Sequence, residues 1–306
     1  MSEIILHHYP LSPFAEKARL ALGLKGLAWG SVDTPPAPPR PLLTPMTGGY
    51  RRIPVMQIGA DIFCDTNLIL PTLERLHPEP PLYPRELAGL DKALSFNFER
   101  SIWRQIIGVM VHFKGNMPAE FIKDRQDDYL YFDMSKDAME PEFEANVQQV
   151  RAQLEWLKTA LADGRSFLAG GRPGALDLGY FHTISLVRKN APVAEADALL
   201  GLEPIVPWYE RVAAIGHGKP HEMTGEDAVA VAKKATPADA SHVRHEGVGP
   251  KPGTKVTVTP DDFAKKPVTG TLVAASAEEV VIHRHAEATG DMHVHFPRAG
   301  FEVKAA

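Results

Sequence analysis

The sequence predicts a multidomain α+β chain in three stretches: a mixed α/β segment over 1–82, an all-helical bundle over 85–232, and a small antiparallel β-sheet or barrel over 250–306. Three patterns predict it. The first stretch reads β-α-β-α-β-β-α, the order of a mixed sheet with helices on its faces. The second carries apolar residues at helical spacing between short breaks. The third alternates with period two. At 306 residues the chain exceeds one ordinary core, and its 44% hydrophobic and 23% charged content is that of a globular protein.

Ile4-Ile5-Leu6 reads as a buried strand ending at Pro10. Ser12-Pro13 is a helix start, a capping hydroxyl followed by proline at the first helical position. Phe14, Ala18, Leu20, Ala21 and Leu22 form the apolar stripe of that helix, and Leu27–Val32 a second strand. Six prolines between Pro35 and Pro45 make a stiff loop. Val55–Ile58 and Ile62–Cys64 flank Gly59-Ala60-Asp61 as a hairpin, and Asp65 or Thr66 caps the next helix. Pro78-Glu79-Pro80-Pro81 marks a linker. Helices follow from Arg85 to about Val231, broken near 115–118, 163–175 and 190–192, with Val147, Val150, Leu154, Leu157 and Leu161 on one face of the span Phe143–Leu161. Gly225–Lys234 is a last helix and 235–253 a second, Pro/Gly-rich linker. Lys255–Thr259, Val268–Val273, Val280–His285, Met292–Phe296 and Gly300–Val303 are short strands.

A net charge of −5 with no basic block argues against nucleic acid as the main partner. The one cysteine, Cys64, allows no intramolecular disulfide and reads as a buried small hydrophobe. The start lacks the basic and apolar regions of a signal peptide, and no stretch is apolar enough to span a bilayer. The expectation is a cytoplasmic protein with no membrane partner.

Two segments carry chemistry. The first is His8-Tyr9-Pro10-Leu11-Ser12-Pro13-Phe14; the second is Arg52-Ile53-Pro54-Val55, followed by Asp65-Thr66. A hydroxyl sits where a strand turns into a helix, an X-Pro bond opens a strand, and an acid–hydroxyl step opens another helix. This arrangement resembles the glutathione transferase family, in its serine-type, tau- and omega-like bacterial form, over roughly residues 3–83 and, by helical pattern, over 85–230. The resemblance implies a thioredoxin-like α/β amino-terminal domain, glutathione as co-substrate and a homodimer. It implies that Ser12, with Tyr9 as the alternative, polarises the glutathione sulfur. Ile53, ahead of a cis Pro54, would pair its backbone with the tripeptide's cysteine. Asp65 and Thr66 would hold the γ-glutamyl end, and Arg52 would meet the glycyl carboxylate. Asp-Thr in place of Glu-Ser or Asp-Ser is a mild departure. With Ser rather than Cys at position 12, mixed-disulfide reduction is disfavoured.

The chemistry is plain. A free thiol near pKa 8.5 is only a few per cent thiolate at pH 7, and the thiolate is the nucleophile. A donor hydrogen bond and a helix N-terminus both favour it. The bland reading of Ser12 and of Asp65-Thr66 is a helix cap. Phe14, Trp103, Met110 and Phe113 are candidates for an apolar acceptor pocket, with ordinary core packing as the equal alternative. Asp177, three residues after Gly174, reads as a structural cap.

His283, His285, His293 and His295 lie on adjacent strands, each pair on one face, and are the candidates for zinc or copper. No Cys or spaced carboxylate completes a ligand set in the sequence, so a solvated strand face is preferred and no metal is expected. The resulting expectation is an enzyme of detoxification type that conjugates glutathione to a small hydrophobic electrophile. The rival is a non-catalytic or weakly catalytic glutathione-fold scaffold whose β module recognises a partner, and a weaker third option is glutathione-dependent haloalkane or lignin-ether cleavage.

Overall fold

The computed structural model describes residues 2–87, 89–244 and 247–306. Met1, Ala88 and the His245–Glu246 portion of the expected second linker lie outside the described residues. The chain divides into two compact units.

The first unit takes residues up to Ala18, Gly26–Thr72 and Gly218–Ala306. Its early elements are β1 (Ile4–His8), the start of α1 (Pro13–Leu24), β2 (Ala28–Asp33), α2 (Leu43–Thr47), β3 (Val55–Ile58), β4 (Asp61–Cys64) and the start of α3 (Thr66–Leu76), the division falling after Ala18 and after Thr72. All five residues of β1 are buried, as a central strand requires: it pairs parallel with β2 and antiparallel with β3. Gly59, at φ 61°, opens the two-residue turn between β3 and β4, where glycine adopts the left-handed backbone without steric cost.

The second unit, Arg19–Lys25 with Leu73–His217, is helical. It contains α4 (Leu90–Lys114), α5 (Ala119–Arg125), α6 (Lys136–Met139), α7 (Phe143–Leu161), α8 (Ala175–Arg188), α9 (Val193–Leu200) and α10 (Val206–Ala213). The bounds of α7 are those its periodicity predicts, and Val147, Val150, Leu154 and Leu157 are its buried stripe. Helix α8 is buried almost throughout. It approaches α4 closely because Gly179 presents no side chain to Ser95. Asp177 is the keystone of its first turn. Its carboxylate accepts from Leu168 N–H (2.9 Å), Gly174 N–H (2.9 Å) and the Trp208 indole N–H (2.8 Å). Burial pushes the Asp177 carboxyl up, and these donors pull it back.

After Gly218 the chain returns to the first unit with β5 (Lys219–Glu222), α11 (Gly225–Lys234), β6 (Lys255–Pro260), β7 (Val268–Ala275), β8 (Glu279–Ala286), β9 (Gly290–Pro297) and β10 (Phe301–Ala305). The expected partition into 1–82, 85–232 and 250–306 differs from these units. β5 and α11 belong with the amino-terminal residues, and the carboxy-terminal strands extend the amino-terminal sheet. One ten-stranded sheet runs β10-β6-β7-β8-β9-β4-β3-β1-β2-β5. Within it β6 to β10 are antiparallel, as their alternation predicts, and β9 joins β4 in parallel through Asp61↔His293, Ile62↔Val294 and Phe63↔His295.

The reason is visible in the core. Val256, Val258, Val268, Val280, Ile282, Met292, Val294 and Phe296 share one apolar cluster with Met46, Tyr50, Ile53, Val55, Ile62 and Cys64. Five short strands bury too little apolar surface alone, and the exposed edge of β4 supplies both a pairing partner and a core. β5, which no sequence pattern predicts, is an edge strand with all four residues exposed, so it carries no alternation of buried and exposed positions.

Helix α11 docks through a buried polar relay. The Gln57 side-chain amide donates to the carbonyls of Gly59 (3.0 Å) and Ala228 (2.9 Å), which fixes its orientation. Its oxygen must then accept, so His7 donates from Nε2 at 2.9 Å. Burial holds the His7 pKa down at about 4, with the Gln57 hydrogen bond opposing, and the ring is neutral.

Candidate functional site

Strand register brings the two motif segments together. His7 stands opposite Val55, and Val55 opposite Cys64. The exit of β1, the entry to β3 and the exit of β4 therefore lie at one end of three adjacent strands, within ~10 Å at the usual ~4.8 Å strand spacing. Tyr9–Ser12, Ile53–Pro54 and Asp65–Thr66 all emerge there.

Ser12 is buried and caps α1: its hydroxyl oxygen accepts from Ala15 N–H at 3.2 Å, while its own N–H bonds the Tyr9 carbonyl at 3.1 Å. The capping role uses the oxygen as an acceptor and leaves the hydroxyl proton to donate. Tyr9 packs its ring against the shared apolar cluster. The Ile53–Pro54 bond is cis. Pairing of β3 begins at Val55, so the Ile53 main chain lies outside the ladder.

Asp65 adopts φ 73°, a left-handed conformation that Asp tolerates because its carboxylate bonds locally, here from Asn67 N–H at 2.9 Å. Non-glycine residues held there concentrate at functional sites. Burial pushes the Asp65 carboxyl up, while Arg52, the Asn67 amide and Lys17 pull it down and Asp262 adds to the rise. The Thr66 hydroxyl opens α3, and its oxygen is buried with no hydrogen-bond partner among the described residues. Cys64 is fully buried; desolvation first, and Asp65 second, raise its thiol well above the usual range, which leaves it inert.

Arg52 is engaged within the unit. It bonds Asp65 at 3.3 Å, together with the Asp262 carboxylate and the Phe263 carbonyl, and its guanidinium lies 5.7 Å from the Phe301 ring centroid. The carboxy-terminal strands thus reach the motif end of the sheet, a link no local signal announced. Of the acceptor-pocket candidates, Trp103 and Met110 are buried in the helical unit, Phe113 is half-buried at the end of α4, and Phe14 is half-buried in α1.

Alternation predicts a common face for each histidine pair, and the β8–β9 register puts the two pairs on the same face: His283 stands opposite His293, and Val281 opposite His295. His283 Nε2 and His285 Nδ1 each bond the exposed Asp291 at 3.0 Å, which holds that carboxyl below its usual value. His293 and His295 meet Asp61 instead, and His295 also meets Glu279. The expectation that no spaced carboxylate completes the set is corrected here: Asp61 arrives from β4, and Glu279 stands on β8, four residues ahead of His283. Burial lowers the His295 pKa, but Asp61 and Glu279 outweigh it and hold it above the ordinary value.

Comparison with known proteins agrees with this architecture. A model of the glutathione S-transferase N-terminal domain matches residues 6–81, and one of the C-terminal domain matches residues 140–216. A GST-like protein from Pseudomonas syringae, known from its crystal structure, is 32% identical, with a TM-score of 0.82, and each chain covers 100% of the other. The chain belongs to the glutathione S-transferase family. That full coverage includes the carboxy-terminal strands. FtsZ-localized protein A of Caulobacter vibrioides is 25% identical over 216 residues, covering 69% of this chain and 86% of that protein. A tau-class glutathione S-transferase from mango, Mangifera indica, is 16% identical with a TM-score of 0.52 over 69% of this chain and 89% of its own, a likeness of fold. The thioredoxin-like and helical glutathione S-transferase domains expected from the resemblance are both present. No helix among the described residues is long and apolar enough to cross a membrane.

Proposed function

We propose that this family member binds glutathione at the end of the sheet where Ser12, Ile53 and Asp65-Thr66 emerge, and that Ser12 stabilises the bound thiolate for attack on a small hydrophobic electrophile. The observation that carries the reading is the buried Thr66 hydroxyl, without a hydrogen-bond partner among the described residues, beside a left-handed Asp65 carboxylate at a helix N-terminus. A γ-glutamyl group satisfies both: its ammonium pairs with Asp65, and its carboxylate accepts from Thr66 and the α3 N-terminus. The Ile53 main chain pairs with the cysteinyl residue as an added strand. Ser12 donates its remaining proton to sulfur, aided by the positive end of α1. Arg52, committed to Asp65 and to the 262–263 turn, orients Asp65 rather than meeting the glycyl carboxylate. The acting assembly is a homodimer in this reading.

The test is a titration of glutathione bound to the protein, following thiolate ultraviolet absorbance against pH. A hydrogen bond to a charged group is worth about 1.5–3 kcal/mol, so Ser12→Ala raises the bound sulfur pKa by roughly 1–2 units. It also removes a cap, costing about 1 kcal/mol of stability, whereas Ser12→Thr keeps both roles. A bound sulfur pKa equal to that of free glutathione in the wild type refutes thiolate stabilisation. An unchanged pKa in Ser12→Ala passes the role to Tyr9.

A second reading is favoured by the likeness to FtsZ-localized protein A: a glutathione-fold scaffold whose partner is a protein such as FtsZ. Absence of glutathione binding, with co-sedimentation on bacterial FtsZ polymers, selects it.

A further inference from the structure

The strand junction between β4 and β9 carries a second constellation, unrelated to the sulfur chemistry. Asp61, His293 and His295 bring one ligand atom each to within 4.8 Å of one another. Asp61 Oδ1 lies 3.0 Å from His295 Nε2 and 3.7 Å from His293 Nδ1. A tetrahedral ion with bonds of ~2.0–2.2 Å has ligand-to-ligand edges of roughly 3.3–3.6 Å, between these two separations. We propose that these three residues bind one zinc ion per chain, which clips the carboxy-terminal strands to the amino-terminal sheet.

The outer groups are arranged for that task. Glu279 accepts from His295 Nδ1 at 2.6 Å, so Nε2 faces Asp61, the carboxylate–histidine arrangement that fixes a ligating imidazole. Asp61 Oδ2 is held by Ala238 N–H at 2.9 Å, which leaves Oδ1 toward the histidines. Asp61 and His295 are buried, and a two-imidazole, one-carboxylate set suits zinc with an open position for water.

The competing account is an imidazolium of His295 shared between two carboxylates. It satisfies His295 and leaves His293 Nδ1 buried with no hydrogen-bond partner among the described residues. An ion satisfies all three ligands. Asp61 pairs with His293 in a parallel ladder of three residue pairs, so the ligands bridge the junction between the carboxy-terminal strands and the rest of the sheet.

The experiment uses the untagged full chain, stripped with a chelator and titrated with Zn²⁺ against a chromophoric competitor. One equivalent binds, Tm rises with zinc by mass action, and Co²⁺ gives visible bands of a low-coordinate ion. His293→Leu, which removes the ligand at similar volume, abolishes both the binding and the zinc-dependent Tm rise. Glu279→Gln weakens affinity by roughly 10–100-fold, and His285→Ala, exposed and outside the set, leaves it unchanged. Substoichiometric zinc in the wild type, or equal affinity in His293→Leu, overturns the site. If His293→Leu does not fold, the wild-type cobalt spectrum decides, and bands of the hexa-aquo ion alone refute the proposal. None of these readouts depends on glutathione.

Discussion

Replacing Asp177 by alanine tests whether one carboxylate organises the helical unit. Its three donors are buried, and all lose their acceptor together. Each orphaned buried donor costs about 1–3 kcal/mol, a ceiling near 9 kcal/mol. The 162–174 connection carries exposed residues through which water can reach the freed amides, so we expect about 4 kcal/mol. For a unit of this size each kcal/mol lowers Tm by roughly 2–4 °C, giving a fall of about 12 °C. Asp177→Asn separates the contacts. Leu168 N–H and the Trp208 indole both bond Oδ1, while Gly174 N–H bonds Oδ2. An asparagine oxygen placed at Oδ1 keeps two bonds and opposes one donor with another, for a loss of about 2 kcal/mol. Trp208→Phe removes a single donor and, in a double-mutant cycle with Asp177→Ala, reports the coupling directly. Denaturant unfolding followed by circular dichroism at unchanged m measures all three. Equal losses in Asp177→Ala and Asp177→Asn, or a loss below about 1 kcal/mol in the alanine variant, would refute the reasoning.

Other consequences follow from buried contacts. His7 binds a proton only near pH 4 when folded but near 6.5 when unfolded, so the unfolded state takes up protons first as pH falls. Stability from this group is complete above pH 6.5 and declines by about 3 kcal/mol toward pH 4. The His7 ring signal in NMR should not titrate between pH 5 and 8, and a midpoint near 6.5 contradicts its burial. Gly179→Ala places a methyl 3.2 Å from Ser95 Cβ and nearer still to its hydroxyl, costing about 1–3 kcal/mol, and Ser95→Gly restores part of it. Gly23→Ala is worse, because the obstacle is the Gly216 backbone, whose carbonyl carbon lies 2.7 Å away. Similar thermal shifts for these two glycine variants would remove the distinction between side-chain and main-chain obstruction.

Features governed by local chemistry are legible in the sequence alone. Periodicity sets the bounds of α7, the Ser12-Pro13 step sets the start of α1, and alternation marks the carboxy-terminal strands and the common face of each histidine pair. These signals lie within a few residues of the features they specify. Long-range pairing decides the rest. Asp61 and His295 are 234 positions apart, and Arg52 and Asp262 are 210 apart. No periodicity in either segment encodes that β9 pairs with β4, because the choice depends on which exposed edge and which apolar face are unfilled once the other strands have formed. That choice brings the Asp61 carboxylate to a face of histidines, and joins the carboxy-terminal strands to the end of the sheet where the sulfur chemistry is proposed.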